Sequence, residues 1–161
     1  MGTVNPISAG FHAITPHLTV KDANAAIAFY QRVFGATEIG RISMGDGLVG
    51  HAELEIGGSR FMLAEEMPAW GNQSPTTLGG SPVAMALYVA DVDAVYQRAL
   101  NAGAQAVEPV KDQFYGDRAG TLRDPFGHKW HILTHLEDVS FEEMQKRCDA
   151  MLSAAQKAPA P

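Results

Sequence analysis

One cysteine, no long apolar run and no surplus of basic charge set the first limits on this sequence. Cys148 is the sole cysteine in 161 residues, so no intrachain disulfide forms and a thiolate metal cluster is excluded. The longest uncharged apolar run, Pro82 to Ala90, is nine residues, against the ~20 that span a bilayer as a helix; no membrane partner is expected. Twelve Lys and Arg stand against 18 Asp and Glu, a formal charge of −6. That balance argues against a nucleic-acid partner, because phosphate neutralisation needs clustered basic residues. Met1 to Gly10 has neither a basic stretch nor an apolar core, so no secretory leader is read and a cytoplasmic location is expected. No Gly-x-Ser-x-Gly elbow, phosphate-cradling loop or dinucleotide fingerprint occurs.

What remains is an ordinary globular composition, 46% hydrophobic and 19% charged, which rules out a disordered chain. The length allows one compact domain or two small repeats sharing a core. The sequence favours the repeats. HLTVKDANAAIAFYQRVFGATEI from His17 and ALYVADVDAVYQRALNAGAQAVE from Ala86 both read strand, Asp, amphipathic helix, Gly-Ala, strand. Val20 matches Val89 and Asp22 matches Asp91, each 69 residues on; SRFMLAEE from Ser59 resembles HKWHILTH from His128 at the same spacing.

Each helix carries its own punctuation. Asp22 and Asp91 are candidate N-caps, and Gly35 and Gly103 are suited to left-handed C-terminal positions. Ile27, Tyr30, Val33 and Phe34 form one apolar stripe; Val92, Val95, Tyr96 and Ala99 form the other. Alternation predicts strands at 13–20, 39–44, 51–56 and 60–64, then 83–89, 106–110, 120–122 and 130–134, with Gly57-Gly58 as a hairpin turn. Pro16, inside the first of these, suggests an edge strand or a bulge. The 15 residues Met67 to Ser81 read as a connecting loop, long enough to cross the structure or cover a site. Within it Trp70 is either an anchor for an interface or lid, or packed on its own module. Ser140-Phe141-Glu142-Glu143 opens a C-terminal helix running to about Gln156, and 158–161 should be disordered.

A duplicated β-α-β-β-β unit with FYQRVFGA in the first helix and DPFGHKWHI before the last strand resembles the glyoxalase/bleomycin resistance/extradiol dioxygenase (vicinal oxygen chelate) superfamily. DQFYGDRAGTLRDPFGHKW, from Asp112 to Trp130, is similar to its PhnB-like branch. The resemblance implies an α+β fold in which two tandem βαβββ modules form a cupped mixed β-sheet. It covers a single domain at 11–135, with module 1 at about 11–66, a linker at 67–81 and module 2 at about 82–135. A C-terminal helix and tail occupy 136–161. It further implies a homodimer and a ligand in the concave side.

Metal-dependent members place His, Gln or Glu ligands on the first and fourth strands of each module. Matching those positions by motif gives Thr15, Met62, Ala84 and His131, of which only His131 is a good ligand for a divalent metal. A displacement of the Met62 position would bring in Glu65. No metal is therefore expected, and the implied function is a small-molecule-binding protein that holds an organic ligand in the concave sheet. The alternative is a divalent-metal-dependent lyase, isomerase or dioxygenase with a displaced site, at which His17, His51, Glu53 and His131 would converge; otherwise His51, Glu53 and Glu55 form a solvated strand face.

His131 is the candidate catalytic residue, as a general base or as a wall that hydrogen-bonds ligand. Thr15, His17, His51, Glu53, Tyr88, Phe114, Tyr115 and Asp117 are the candidate ligand contacts. Ala84 and Ala86, on the same strand face as Tyr88, leave room for a cavity. Asp117 either pairs with Arg118 to fix the loop or takes a cationic group of the ligand. His128 reads as an exposed loop residue, and His135 is ambiguous.

Overall fold

The computed structural model describes residues 4–157; the tail read as disordered lies outside that range. The chain forms two successive β-α-β-β-β modules and a final helix. Module 1 runs β1 (His17–Val20), α1 (Ala23–Phe34), β2 (Thr37–Ser43), β3 (Val49–Ile56) and β4 (Ser59–Glu65). A short helix, α2 (Pro75–Leu78), lies in the connecting segment. Module 2 runs β5 (Ala84–Tyr88), α3 (Val92–Asn101), β6 (Gln105–Asp112), β7 (Asp117–Arg123) and β8 (Lys129–His135), and α4 (Phe141–Lys157) follows.

The repeat is visible in the pairing. Each module makes a four-stranded mixed sheet, ordered β1-β4-β3-β2 and β5-β8-β7-β6. In each, the first strand lies parallel to the fourth and the other two follow antiparallel. β1 is an edge strand, which the preceding Pro16 tolerates. The first strand starts at His17, four residues later than alternation suggested. β7 is longer than expected, because Asp117, Arg118 and Ala119 pair fully with β8.

Capping is also duplicated. Asp22 accepts from Ala25 N and Asp91 from Ala94 N, both at 2.9 Å. The last strand of each module reinforces its helix start. Glu65 accepts from Asp22 N and Ala23 N at 2.7 and 2.8 Å, while Thr134, 69 residues on, accepts from Val92 N at 2.9 Å. Such bonds satisfy first-turn amides that have no partner inside the helix. Gly35 ends α1 with φ 70°, a left-handed position that glycine occupies without steric cost.

One apolar core spans both modules. Leu18, Val20, Ala52, Leu54 and Leu63 pack under α1; Leu122, Trp130 and Ile132 belong to module 2. Phe34 and Trp130 rings lie 4.7 Å apart across the junction. Asp124 is the polar centre of that junction and is 3% exposed. Its Oδ1 accepts from Phe126 N and His128 N, and its Oδ2 from Tyr30 OH and Trp130 Nε1. His128, expected to be exposed, is buried instead: its Nε2 lies 3.1 Å from the Thr19 carbonyl oxygen and ties the turn to β1.

The connecting segment is not a bare loop. The Glu66 carboxylate gathers Ser74 N, Ser74 Oγ and Thr77 Oγ1 at 2.7–2.9 Å. These donors hold its pKa down at about 2. Trp70 is 68% exposed, so it is not packed on its own module.

Candidate functional site

Strand alternation decides which side chains face away from the core. In module 2, Trp130 and Ile132 are buried against the helix side, so His131 and Leu133 point the other way. Across the ladders, His131 pairs with Thr121 on β7 and with Ala86 on β5. The open face of this sheet carries a cavity of about 450 Å³. It is lined by Ala86, Tyr88, Glu108, Gln113, Tyr115, Asp117, Ala119, Thr121, His131 and Leu133. The small alanines at 86 and 119 leave the floor low, while Tyr88 and Tyr115 supply aromatic walls.

Thr121 Oγ1 lies 2.9 Å from His131 Nδ1. That contact fixes the ring and leaves Nε2 as the nitrogen available to a ligand. At the rim, Tyr88 OH donates to Asp117 Oδ2 at 2.9 Å, and His135 Nδ1 lies 2.7 Å from Asp117 Oδ1. His135 Nε2 in turn lies 3.0 Å from Asp138 Oδ1. The two carboxylates raise the His135 pKa. The hydrogen bond to Asp117 raises that of Tyr88, and burial, followed by the charges of Asp117 and Glu108, raises that of Tyr115. Both walls are therefore neutral phenols. Among the described residues no Lys or Arg lines the cavity.

Two expectations about Asp117 need correction. Arg118 points to the opposite face and binds Asp93 and Asp112 at 2.7–2.9 Å, not Asp117. Asp117 is not free for a ligand cation, because Tyr88 and His135 already occupy its two oxygens. His135, ambiguous in the sequence, is a member of the site through this pairing. Glu108, Gln113 and Thr121 also line the cavity without having been singled out; only the strand register places them there. Phe114 packs edge-on to Tyr115, ring centroids 5.3 Å apart, and supports that wall without lining the cavity.

The module 1 candidates gather on their own sheet. His17 and His51 rings stack at 6.0 Å, His51 Nε2 lies 3.7 Å from Glu53, and Arg60 pairs with Glu53 and Glu55. Burial and the neighbouring His51 lower the His17 pKa. His131 is not among them, so the displaced convergence of four residues is not formed within one chain. Among the described residues no group of three or more His, Cys, Asp or Glu is arranged to hold a metal ion. Thr15 stands before β1 with its hydroxyl donating to the His12 carbonyl at 3.0 Å. Glu65 is engaged in capping α1.

The family model described as the Glyoxalase/Bleomycin resistance protein/Dioxygenase superfamily matches residues 10–132. An uncharacterized protein of Mycobacterium bovis is 48% identical over 136 residues, covering 83% of this chain and 90% of that protein. TioX from Micromonospora sp. ML1 superposes with a TM-score of 0.59 at 29% identity, over 78% of this chain and 99% of its own. A PhnB protein from Bacillus cereus, described as a putative 3-demethylubiquinone-9 3-methyltransferase, superposes with a TM-score of 0.61. That pair is 18% identical and covers 76% and 99% of the two chains.

Proposed function

Since the chain belongs to the glyoxalase/bleomycin resistance protein/dioxygenase superfamily, we propose that it binds a small organic molecule on the open face of module 2, without a divalent metal centre. The cavity carries this reading: at about 450 Å³ it falls within the range of small-molecule pockets, roughly 300–1,000 Å³. Two phenol walls, an alanine floor and a few polar groups are the lining such a ligand needs. Tyr88 and Tyr115 stack on a flat ring system, His131 Nε2 makes a directional hydrogen bond, and Glu108 favours a ligand with a donor or cationic edge.

The donor set does not fit the metal that other members use. Thr15 is turned to a backbone carbonyl, Met62 offers a soft thioether, Ala84 offers nothing, and only His131 remains. A second reading keeps the same residues for chemistry: with Nδ1 held by Thr121, His131 Nε2 is placed to take a proton from bound ligand.

A second copy of the chain is the expected partner. Ile14 (90% exposed), Ile42 (65%), Val83 (64%) and Tyr88 (61%) leave apolar surface uncovered, more readily explained by an interface than by solvent. Light scattering at the mass of two chains supports this; a monomer mass across the micromolar range removes it.

The binding reading is tested by thermal shift against a panel of aromatic amines, antibiotics and metabolites. Hits are followed by calorimetry on Tyr115→Ala and His131→Ala. Saturable binding that both substitutions weaken, with the fold intact by circular dichroism, is the expected result. Failure of every compound, or hits indifferent to both substitutions, overturns it.

A further inference from the structure

We infer a second site, for a small oxyanion of the phosphate type, where the connecting segment meets the far end of module 2. It shares no residue with the cavity around His131 and does not depend on the reading of that cavity. A pocket of about 320 Å³ lies there, with Pro75, Thr76, Gly79 and Gly80 on one side and Gly103, Gln105, Arg123, Pro125 and Gly127 on the other.

Arg123 supplies the charge. Of the six other arginines, those at 41, 60, 98, 118 and 147 each bind a carboxylate or a carbonyl; Arg32 stands exposed on α1 and lines neither this pocket nor the His131 cavity. Among the described residues no hydrogen bond or ion pair engages the Arg123 guanidinium. Its direct neighbour across the β7–β8 ladder is Lys129, likewise without an acidic partner there, and on β6 it is Gln105. Like charges directly opposite on one sheet face repel. In a chain of net charge −6, a guanidinium at the pocket wall with a cation as its ladder neighbour and no acidic partner is what an anion would relieve.

The rest of the pocket suits an anion too. Its one carboxylate, Asp124, is turned inward and saturated by four donors, so it does not compete. Four of its wall residues are glycines, which let a ligand approach the backbone closely. The space a Cβ would take is open at Gly79 and Gly80, whereas Gly127 packs against Pro75 and Thr76, 3.0–3.2 Å from where its Cβ would lie, and joins the two walls. The opposite wall is held in place before any ligand arrives, because Glu66 clamps Ser74 and Thr77 on either side of Thr76. The Arg123 guanidinium and the Gln105 amide facing a glycine-rich wall match a phosphate or phosphate monoester.

The test is a ¹⁵N NMR titration of the full chain with inorganic phosphate and, separately, phenyl phosphate, with ionic strength held constant by chloride. Saturable shifts centred on the amides of Gly79, Gly80, Gly103 and Gly127 are expected. Arg123→Gln should weaken binding by about tenfold, the loss of one charge-assisted contact, and Lys129→Gln, beside the pocket but not lining it, should weaken it less. Arg32→Gln, on the exposed face of α1, should leave it unchanged. Tighter binding of the ester identifies an organic phosphate as the ligand; equal binding identifies the free ion. No saturable shift by roughly 20 mM of either compound, a concentration above the millimolar binding range, overturns the site. So does an unchanged titration in Arg123→Gln. Should that variant fail to fold, Arg123→Lys and the location of the shifts in the unaltered protein still decide.

Discussion

The Tyr30 hydroxyl donates to Asp124 Oδ2 at 2.7 Å, joining the helix of one module to the turn of the other across 94 residues of chain. Both groups are buried. Burial, then the charge and hydrogen bond of Asp124, raise the Tyr30 pKa, so the phenol stays a donor. A buried carboxylate with no cation beside it persists because four donors fill its acceptor directions, three from its own turn and strand and one, Tyr30, from the other module.

Tyr30→Phe should therefore lower stability by about 1–3 kcal/mol, the cost of leaving one acceptor direction of a buried charge unmet. Asp124→Ala should cost more, because it strands Tyr30 OH, Trp130 Nε1 and two turn amides together. Urea denaturation followed by tryptophan fluorescence checks both. Equal losses in the two variants would mean that the carboxylate does not act as a hub.

At the cavity, Thr121→Val removes the contact that orients His131 while keeping volume. Ligand affinity should fall about three- to tenfold, the net worth of one ordinary hydrogen bond. A larger loss is expected for His131→Ala. Calorimetry with a ligand found by thermal shift measures both, and circular dichroism confirms the fold. Affinity unchanged in Thr121→Val would show that His131 is positioned by packing alone.

Much of this was legible in the chain. The 69-residue repeat, the two Asp caps and the alternation of Trp130, His131 and Ile132 carried the module order and the orientation of His131. The connecting segment was less legible, since α2 has no periodic stripe and is organised by Glu66, eight residues from Ser74. Partners distant in sequence were invisible for the same reason. Arg118 sits beside Asp117, but neighbours in a strand point to opposite faces, so the adjacency misled. His128 was read as exposed because its partner, the Thr19 carbonyl, lies 109 residues away.

Glu66→Ala should release the segment between Met67 and Ser81. Cleavage by chymotrypsin at Trp70 or Leu78 should accelerate, while α1 and α3 remain protected. The Glu66 pKa, held at about 2 in the folded chain against an ordinary 4.5, also sets a pH window. A depressed carboxylate contributes stability above about 4.5 and loses it progressively as pH falls toward 2. Cleavage of the unaltered protein in the same segment by pepsin, which works in acid, should rise through that interval. Cleavage of Glu66→Ala should not rise in parallel; a parallel rise would place the acid sensitivity elsewhere.

His135 gives the opposite sign. Its pKa is raised in the folded chain by Asp117 and then Asp138, so the protonated form is favoured by folding. That contribution is complete below the ordinary histidine value of 6.5 and disappears as pH climbs through the raised value. Stability of the unaltered protein should thus decline above pH 6.5 by an amount that His135→Gln abolishes. Because a neutral imidazole keeps only one N–H for the two carboxylates it now bridges, loss of the imidazolium leaves Asp117 held by neutral donors alone, Tyr88 among them, and the rim of the cavity should loosen with it. Ligand affinity should weaken over the same pH range in the unaltered protein but not in His135→Gln. Matching pH profiles in the two proteins would separate this network from ligand binding.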